Sequence, residues 1–325
     1  MNIYFNEKLH RYTDDYDNPY TSSTTVIDEY VNKFSDKEVE IAKACARIGK
    51  KPYHPKYLKY KNKTYKQLLA EWKHTSKVAC DIGNAKHEYL ELSIKKSNSF
   101  FDVFNTRYTN INNKGYVTLF TVADIKRNPE IGKLDLSYFI KCGVKDKYPQ
   151  IYHIIETFVN DGWSVYSEVG VFNLDYLLSG LIDVLFVKGD QFVILDWKTN
   201  KAPMMFESGY WDKDNNGNIT NYIHKDEFFK SPLNHLPQSV GNKYTLQLSL
   251  YDWLTIQFGF VFAANILCHI THDLYTASDE ESIKDKTLIG KNKVVIHPIS
   301  YLDKDIISMI NDHDMKRTSG QLRLK

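Results

Sequence analysis

Asp183, Asp196 and Lys198 are the residues best placed by type and spacing to do chemistry. They lie in "SGLIDVLFVKGDQFVILDWKTNK" (179–201), two apolar, strand-forming runs joined by Gly189-Asp190. Charged side chains are poor strand formers and are rarely buried without partners. If the two runs pair about that tight turn, residues whose numbers sum to about 379 face each other, which sets Asp183 against Asp196. Lys198, two residues further on, shares their face. Like charges facing each other destabilise a sheet, and a buried pair must shift its pKa or find a cation. A divalent ion resolves the conflict, and carboxylate oxygens suit Mg²⁺ or Mn²⁺. An ammonium beside such an ion can orient water or stabilise charge on a phosphorane-like transition state. The competing reading is a half-exposed, salt-bridged hairpin.

Other residues could join this set. His87 precedes Glu91 by four positions in a helical segment, "GNAKHEYLE" (83–91). A neutral imidazole is a good metal ligand, and Glu91 is near enough to interact with it. A plain surface helix accounts for the same residues. Glu168 stands among Val165, Val169 and Val171 in a strand-like run, aimed either at the site or at solvent. Gln247 and Tyr251 share one helix face. They can hydrogen-bond near Lys198 or to a substrate phosphate, or they are ordinary helix decoration.

"GLID" followed by "DWK" resembles the active-site core of the PD-(D/E)-x-K nuclease superfamily. Three further stretches are similar to its RecB-like exonuclease branch: "GNAKHEYLE", with the helical histidine; "YSEVGVF" (166–172), with an early Glu; and "LQLSLY" (246–251), with Q-x-x-x-Y. The opening "HRY" and "SSTTVI" resembles phage-borne members. The resemblance implies a restriction-endonuclease-like core. It also implies a metal site of His87, Asp183, Asp196 and the backbone carbonyl of Trp197, holding one or two Mg²⁺ or Mn²⁺ ions. Lys198, Glu168, Gln247 and Tyr251 would support hydrolysis of DNA phosphodiester bonds. Two departures stand out: Gln247 lies 49 residues beyond Lys198, and there is no cysteine cluster of the iron–sulfur type. No G-x-x-x-x-G-K-[ST] motor motif is present either.

Positioning these residues takes a mixed scaffold. Strand-like runs at 163–173, 178–188 and 191–199 follow an amphipathic helix at 146–162. A short hairpin is expected around Asn6-Glu7, and a helix over 21–34 after a Ser/Thr cap. More helix is expected over 36–49 and 65–96, the latter broken near Gly83, and irregular strands over 99–122. Residues 203–242 read as a polar, loop-like insertion, 243–259 as a helix, 260–271 as a buried strand and 278–293 as a charged loop. A last strand and a helix over 301–316 close the pattern. The fold class is therefore α/β (α+β), a central mixed sheet flanked by helices with a helical N-terminal region. One nuclease domain over 1–325 is expected: a helix-rich part, 1–145, carrying His87, and a catalytic core, 146–325.

Composition sets outer bounds. The chain has 325 residues, 42% hydrophobic, and a net charge of only +2, so a nucleic-acid surface would have to be a local patch. The strongest candidate is the basic–aromatic stretch 50–69, which also reads as a solvated linker. Four scattered cysteines with no C-x-x-C pair argue against zinc ribbons and iron–sulfur clusters. No apolar run reaches about 18 residues and no signal peptide opens the chain, so a cytoplasmic protein with free thiols is expected. The expected partners are linear double- or single-stranded DNA and recombination or replication proteins, with no membrane; an oligomer is compatible with the sequence. An endonuclease of the same fold and a catalytically silent binding module are the rival functions.

Overall fold

The structure is a computed structural model that describes residues 1–6, 9–33, 37–98, 115–129, 131–200, 202–216, 218–271 and 292–320. The chain opens with the expected hairpin, β1 (Ile3–Asn6) and β2 (Arg11–Asp14), paired from Ile3↔Asp14 to Asn6↔Arg11. β3 (Pro19–Ser22) runs directly into α1 (Ser23–Glu29), whose cap is Ser22 accepting the Thr25 N–H. The helix stops at Glu29 instead of continuing to 34. Tyr30 closes it, and its buried hydroxyl donates to Met309 O at 3.1 Å. The helical apolar spacing beyond that point thus serves packing and not a further turn; Phe34 lies outside the described residues.

α2 (Glu38–Ile48) and the short α3 (Tyr57–Tyr60) lead to α4 (Tyr65–Ser97), which opens on a Thr64/Gln67 capping box. α4 runs unbroken through Gly83, where a break was expected. A Cβ at Gly83 would meet Thr199 Oγ1 at 2.7 Å, so the missing side chain lets the helix approach the chain closely there. Of the strands expected over 99–122, only β4 (Val117–Thr118) falls within the described residues. Short helices α5 (Val122–Arg127), α6 (Leu136–Lys141) and α7 (Val144–Lys147) precede α8 (Pro149–Asn160), which ends before Asp161 and Gly162 as expected.

β5 (Ser164–Asn173), β6 (Leu178–Lys188) and β7 (Gln191–Lys198) form the antiparallel meander. β6 and β7 pair from Val184↔Leu195 to Lys188↔Gln191, the register read from the turn, with Gly189 at φ +60°. The insertion is more than a loop. β8 (Gly209–Lys213) and β9 (Ile219–His224) make a separate two-stranded ribbon, because Trp211 and Tyr222 pack as a cross-strand aromatic pair. α9 (Val240–Ile256) then crosses over to β10 (Val261–Thr271), which pairs parallel to β7; β11 (Lys293–Ile299) and α10 (Asp303–Thr318) follow. The charged stretch 278–291 lies outside the described residues.

The sheet is mixed, in the order β11-β10-β7-β6-β3-β2-β1-β4, with β5 on the other edge of β6. Helices cover both faces. One core joins α1, α9 and α10 to side chains such as Leu185, Ile194 and Leu267. The other joins α4 and α8 to Val184, Leu195 and Trp197. The N-terminal hairpin belongs to this same sheet, since β3 pairs parallel to the start of β6 at Leu178 and Ser179. Among the described residues no helix is long and apolar enough to cross a membrane.

Candidate active site

The three central strands bring Glu168, Asp183 and Asp196 into one transverse row. Ser167↔Val184 and Val169↔Ile182 bracket Glu168 and Asp183, while Val184↔Leu195 is the pair next to Asp183 and Asp196. Regular ladder pairing lapses at this row, and side chains replace it. Asp183 Oδ2 accepts the Trp197 N–H at 3.0 Å, and Ser167 Oγ donates to the Asp183 carbonyl at 3.0 Å. Glu168 takes the left-handed φ of +55°, a strained conformation for a non-glycine residue inside a strand. The alternation of β5 changes phase there: Tyr166 before it and Val169 and Val171 after it all pack into the same core. The kink lets a carboxylate sit at a position flanked by buried apolar residues.

Asp196 is 2% exposed and faces Lys198. Lys198 Nζ donates to Oδ1 at 2.9 Å and lies 2.7 Å from Oδ2. Oδ2 is buried and receives no well-directed hydrogen bond, leaving it the ion-pair contact with Lys198. Burial lifts the Asp196 pKa to about 6, with Asp183 adding to the rise and Lys198 opposing it. Burial likewise raises Asp183, against the pull of Lys198 and the Trp197 N–H. Glu168 is pushed well above the ordinary range, first by burial and then by Glu91 and Asp183. Burial disfavours the Lys198 ammonium, but Asp196 and Asp183 outweigh it and keep the group charged. The Lys198 ammonium also lies 5.0 Å from the centre of the Tyr244 ring, a cation–π distance.

α4 covers one side of the row. Its His87 Nδ1 lies 3.8 Å from Asp183 Oδ2, and the Trp197 carbonyl faces the ring. Burial and Lys198 hold the His87 pKa down at about 4, so the imidazole is neutral near pH 7 and has a lone pair to give. Glu91, expected only to orient His87, also acts on the carboxylates: it repels Glu168 and Asp183 and is ion-paired with Lys95.

α9 covers the other side. Gln247 Nε2 donates to Tyr251 OH at 2.8 Å, and Tyr251 lies within the field of Lys198, Asp196 and Asp183. Gln247 therefore reaches the site through Tyr251. Gly180 makes room for this ring, because a Cβ there would meet Tyr251 Cε1 at 2.3 Å.

Sequence reasoning passed over Tyr12. It is buried on β2, with a pKa raised first by burial and then by Tyr251 and Glu168, so its phenol faces the same cluster. The "HRY" stretch was a signal for it, but only β3 docking on β6 brings that hairpin to the site.

The donor set has the chemistry of a hard-cation site: carboxylates, one neutral imidazole and a backbone carbonyl. Among the described residues, however, no three His, Cys, Asp or Glu side chains are arranged to hold an ion as they stand. The Lys198 ammonium bridges both Asp196 oxygens in the place a cation would take, and the carbonyl of Trp197 is a main-chain donor. The Asp196 Oδ2 without a directed hydrogen bond and the crowded carboxylates are the features that fit a metal.

No protein-family model matches the chain, and no curated protein matches it.

Proposed function

We propose that this protein is a Mg²⁺- or Mn²⁺-dependent deoxyribonuclease acting from DNA ends. The row of Glu168, Asp183 and Asp196 carries the reading: three mutually repelling carboxylates, each with a raised pKa, beside a lysine that stays charged. Such crowding costs stability and persists where function needs it. The D…D-x-K spacing and its resemblance to the RecB-like branch supply the direction. His87, Asp183, Asp196 and the Trp197 carbonyl would hold the metal. When bound, the metal supplies Lewis-acid activation of water and charge neutralisation at phosphate.

The chain's own residues do the remaining work. Lys198, once displaced from Asp196, donates to a non-bridging phosphate oxygen, where negative charge grows in the transition state. Glu168, in its ionised form, accepts a proton from the attacking water. Tyr251, held by Gln247, orients the phosphate. Four free cysteines suit a reducing cytoplasmic setting, and recombination or replication proteins are the partners such an enzyme would serve.

The test is a digestion panel in Mg²⁺ and Mn²⁺. Linear duplex and single strands labelled at either end should lose terminal nucleotides, and covalently closed circles should survive. Nicking of the circles would replace the exonuclease with an endonuclease. No cleavage of any substrate in either metal would overturn the enzymatic reading.

A further inference from the structure

Charge is unevenly distributed along this chain. Residues 37–77 hold twelve Lys and Arg against three Glu, a local surplus of nine in a protein of net charge +2. The stretch is built into the fold and is not a loose linker. Gly49, at the end of α2, is packed so closely that a Cβ would meet Tyr60 O at 2.1 Å. The β8–β9 ribbon grips it from the other side. Lys56 pairs with Asp212 at 2.5 Å, Lys59 Nζ donates to Lys213 O at 3.4 Å, and Asn215 Nδ2 donates to Pro55 O at 3.1 Å. The ribbon is itself anchored to the chain just after β7, because Trp211 Nε1 donates to Pro203 O at 3.0 Å.

This junction gathers like charges. Burial, then Lys56 and Lys213, push the Lys59 pKa down. Asp212 is the one carboxylate that offsets them among the described contacts. Beside them, Lys50, Lys51 and Lys61 are exposed and have no ion-pair partner among the described residues. A fold that holds more cations together than its Asp212 and Glu71 pairs offset favours binding a polyanion, since each phosphate neutralised relieves repulsion and releases counterions. Aromatic rings are interleaved. Tyr53 is fully exposed, and Lys61 lies over the Tyr57 ring. An exposed ring such as Tyr53 among lysines suits unpaired bases, which can stack, better than a duplex, whose bases are already stacked.

We propose that residues 50–63 and the β8–β9 ribbon form a single-stranded nucleic-acid-binding arm that feeds the carboxylate row. The inference rests on the nuclease reading for its direction, but not for the binding itself. α4 connects the two places: from Tyr65 to His87 it rises about 33 Å, at 1.5 Å per residue. At about 3.4 Å per stacked nucleotide roughly ten nucleotides span that distance, and about half as many do when the strand is extended.

Binding is measured by anisotropy in EDTA, which stops metal-dependent cleavage, with a labelled single-stranded 20-mer, its duplex and anionic phosphatidylserine vesicles. K59A/K61A/K213A and, separately, K50A/K51A should each weaken 20-mer binding about tenfold or more. The triple variant should lower the salt slope by about 2, at roughly 0.7 per lost phosphate contact on a single strand. Y53A should weaken single-strand binding about fivefold and leave duplex binding unchanged. In Mg²⁺, the triple variant should raise KM for a 20-mer and leave trimer kinetics unchanged, because a trimer is too short to span the distance even when extended. Wild-type affinity and salt slope in both lysine variants would overturn the arm, as would lysine-dependent binding to vesicles with none to nucleic acid. Intact arm-dependent binding in a protein that cuts nothing would sustain the arm and overturn the nuclease.

Discussion

At the scale of single residues, the site is held together by conflicts that a neutral substitution should ease. Glu168 combines a left-handed backbone with a buried carboxylate beside Glu91 and Asp183. E168Q keeps the shape and cannot ionise. Without metal its melting temperature should rise by a few degrees, the equivalent of about 1 kcal/mol. Its Mg²⁺-dependent cleavage should fall about a hundredfold or more, and added Mn²⁺ should stabilise it less than wild type. A variant that melts lower in EDTA would show that the carboxylate cluster is not repulsive. Lys198 is predicted to matter through charge: K198A should cut kcat by roughly 10²–10³-fold, with folding checked by circular dichroism. The pKa shifts of His87 and Asp196 oppose each other. His87 is lowered from 6.5 to about 4, so between those values the unfolded chain binds the extra proton and stability rises with pH. Asp196 is raised from 3.8 to about 6, so the folded chain holds the extra proton there and stability falls as pH rises. The two slopes offset each other over about pH 4 to 6 in wild type. In EDTA, the D196N profile should rise relative to wild type from about pH 4 to 6, and the H87Q profile should fall relative to it. Parallel denaturation profiles for the two variants would reject this assignment.

At the scale of elements, two glycines set the distances between the helices and the row. Gly83 brings α4 against Thr199, one residue beyond Lys198, and thereby delivers His87 to Asp183. G83A should push the helix away, reducing metal-dependent activity more than stability. The obstacle is Thr199 Oγ1 at 2.7 Å, whereas Thr199 Cβ lies at 3.9 Å, an ordinary contact. G83A/T199A should therefore recover most of the activity lost in G83A, and failure of that rescue would remove the close-approach argument. Gly180 offers no such escape. A Cβ there meets the ring of Tyr251 at 2.3 Å, so G180A should destabilise by about 1–3 kcal/mol and displace the Gln247–Tyr251 pair. The helix boundaries carry a related lesson. α1 ends at Glu29 although apolar spacing continues, because Tyr30 is bound to α10 through Met309 O and Asp312. Local periodicity could not anticipate that tertiary contact.

At the scale of the whole molecule, the N-terminal hairpin and the C-terminal core share one sheet. β3 lies beside β6 on the edge that β7 uses further along, and Ser23 Oγ donates to the Ser179 carbonyl at 2.9 Å. Removal of residues 1–22 should lower the melting temperature and abolish cleavage together, since it strips β3 from β6 and Tyr12 from the cluster. Cleavage at wild-type rate by the truncated chain would show that the hairpin is dispensable to the site. The sequence by itself determined the meander, its register and the Asp183–Asp196–Lys198 face, because a two-residue turn sets strand pairing by short-range geometry alone. It also determined that α4 is helical and that His87 and Glu91 share one of its faces. Only the tertiary structure decided which residues from distant segments meet there. The strain at Glu168, the arrival of Tyr12, the indirect reach of Gln247 and the ribbon's grip on the basic stretch depend on contacts between segments far apart in the chain. Periodicity and turn chemistry report on neighbours within a few residues; convergence of separate segments is set by how sheet and helices pack.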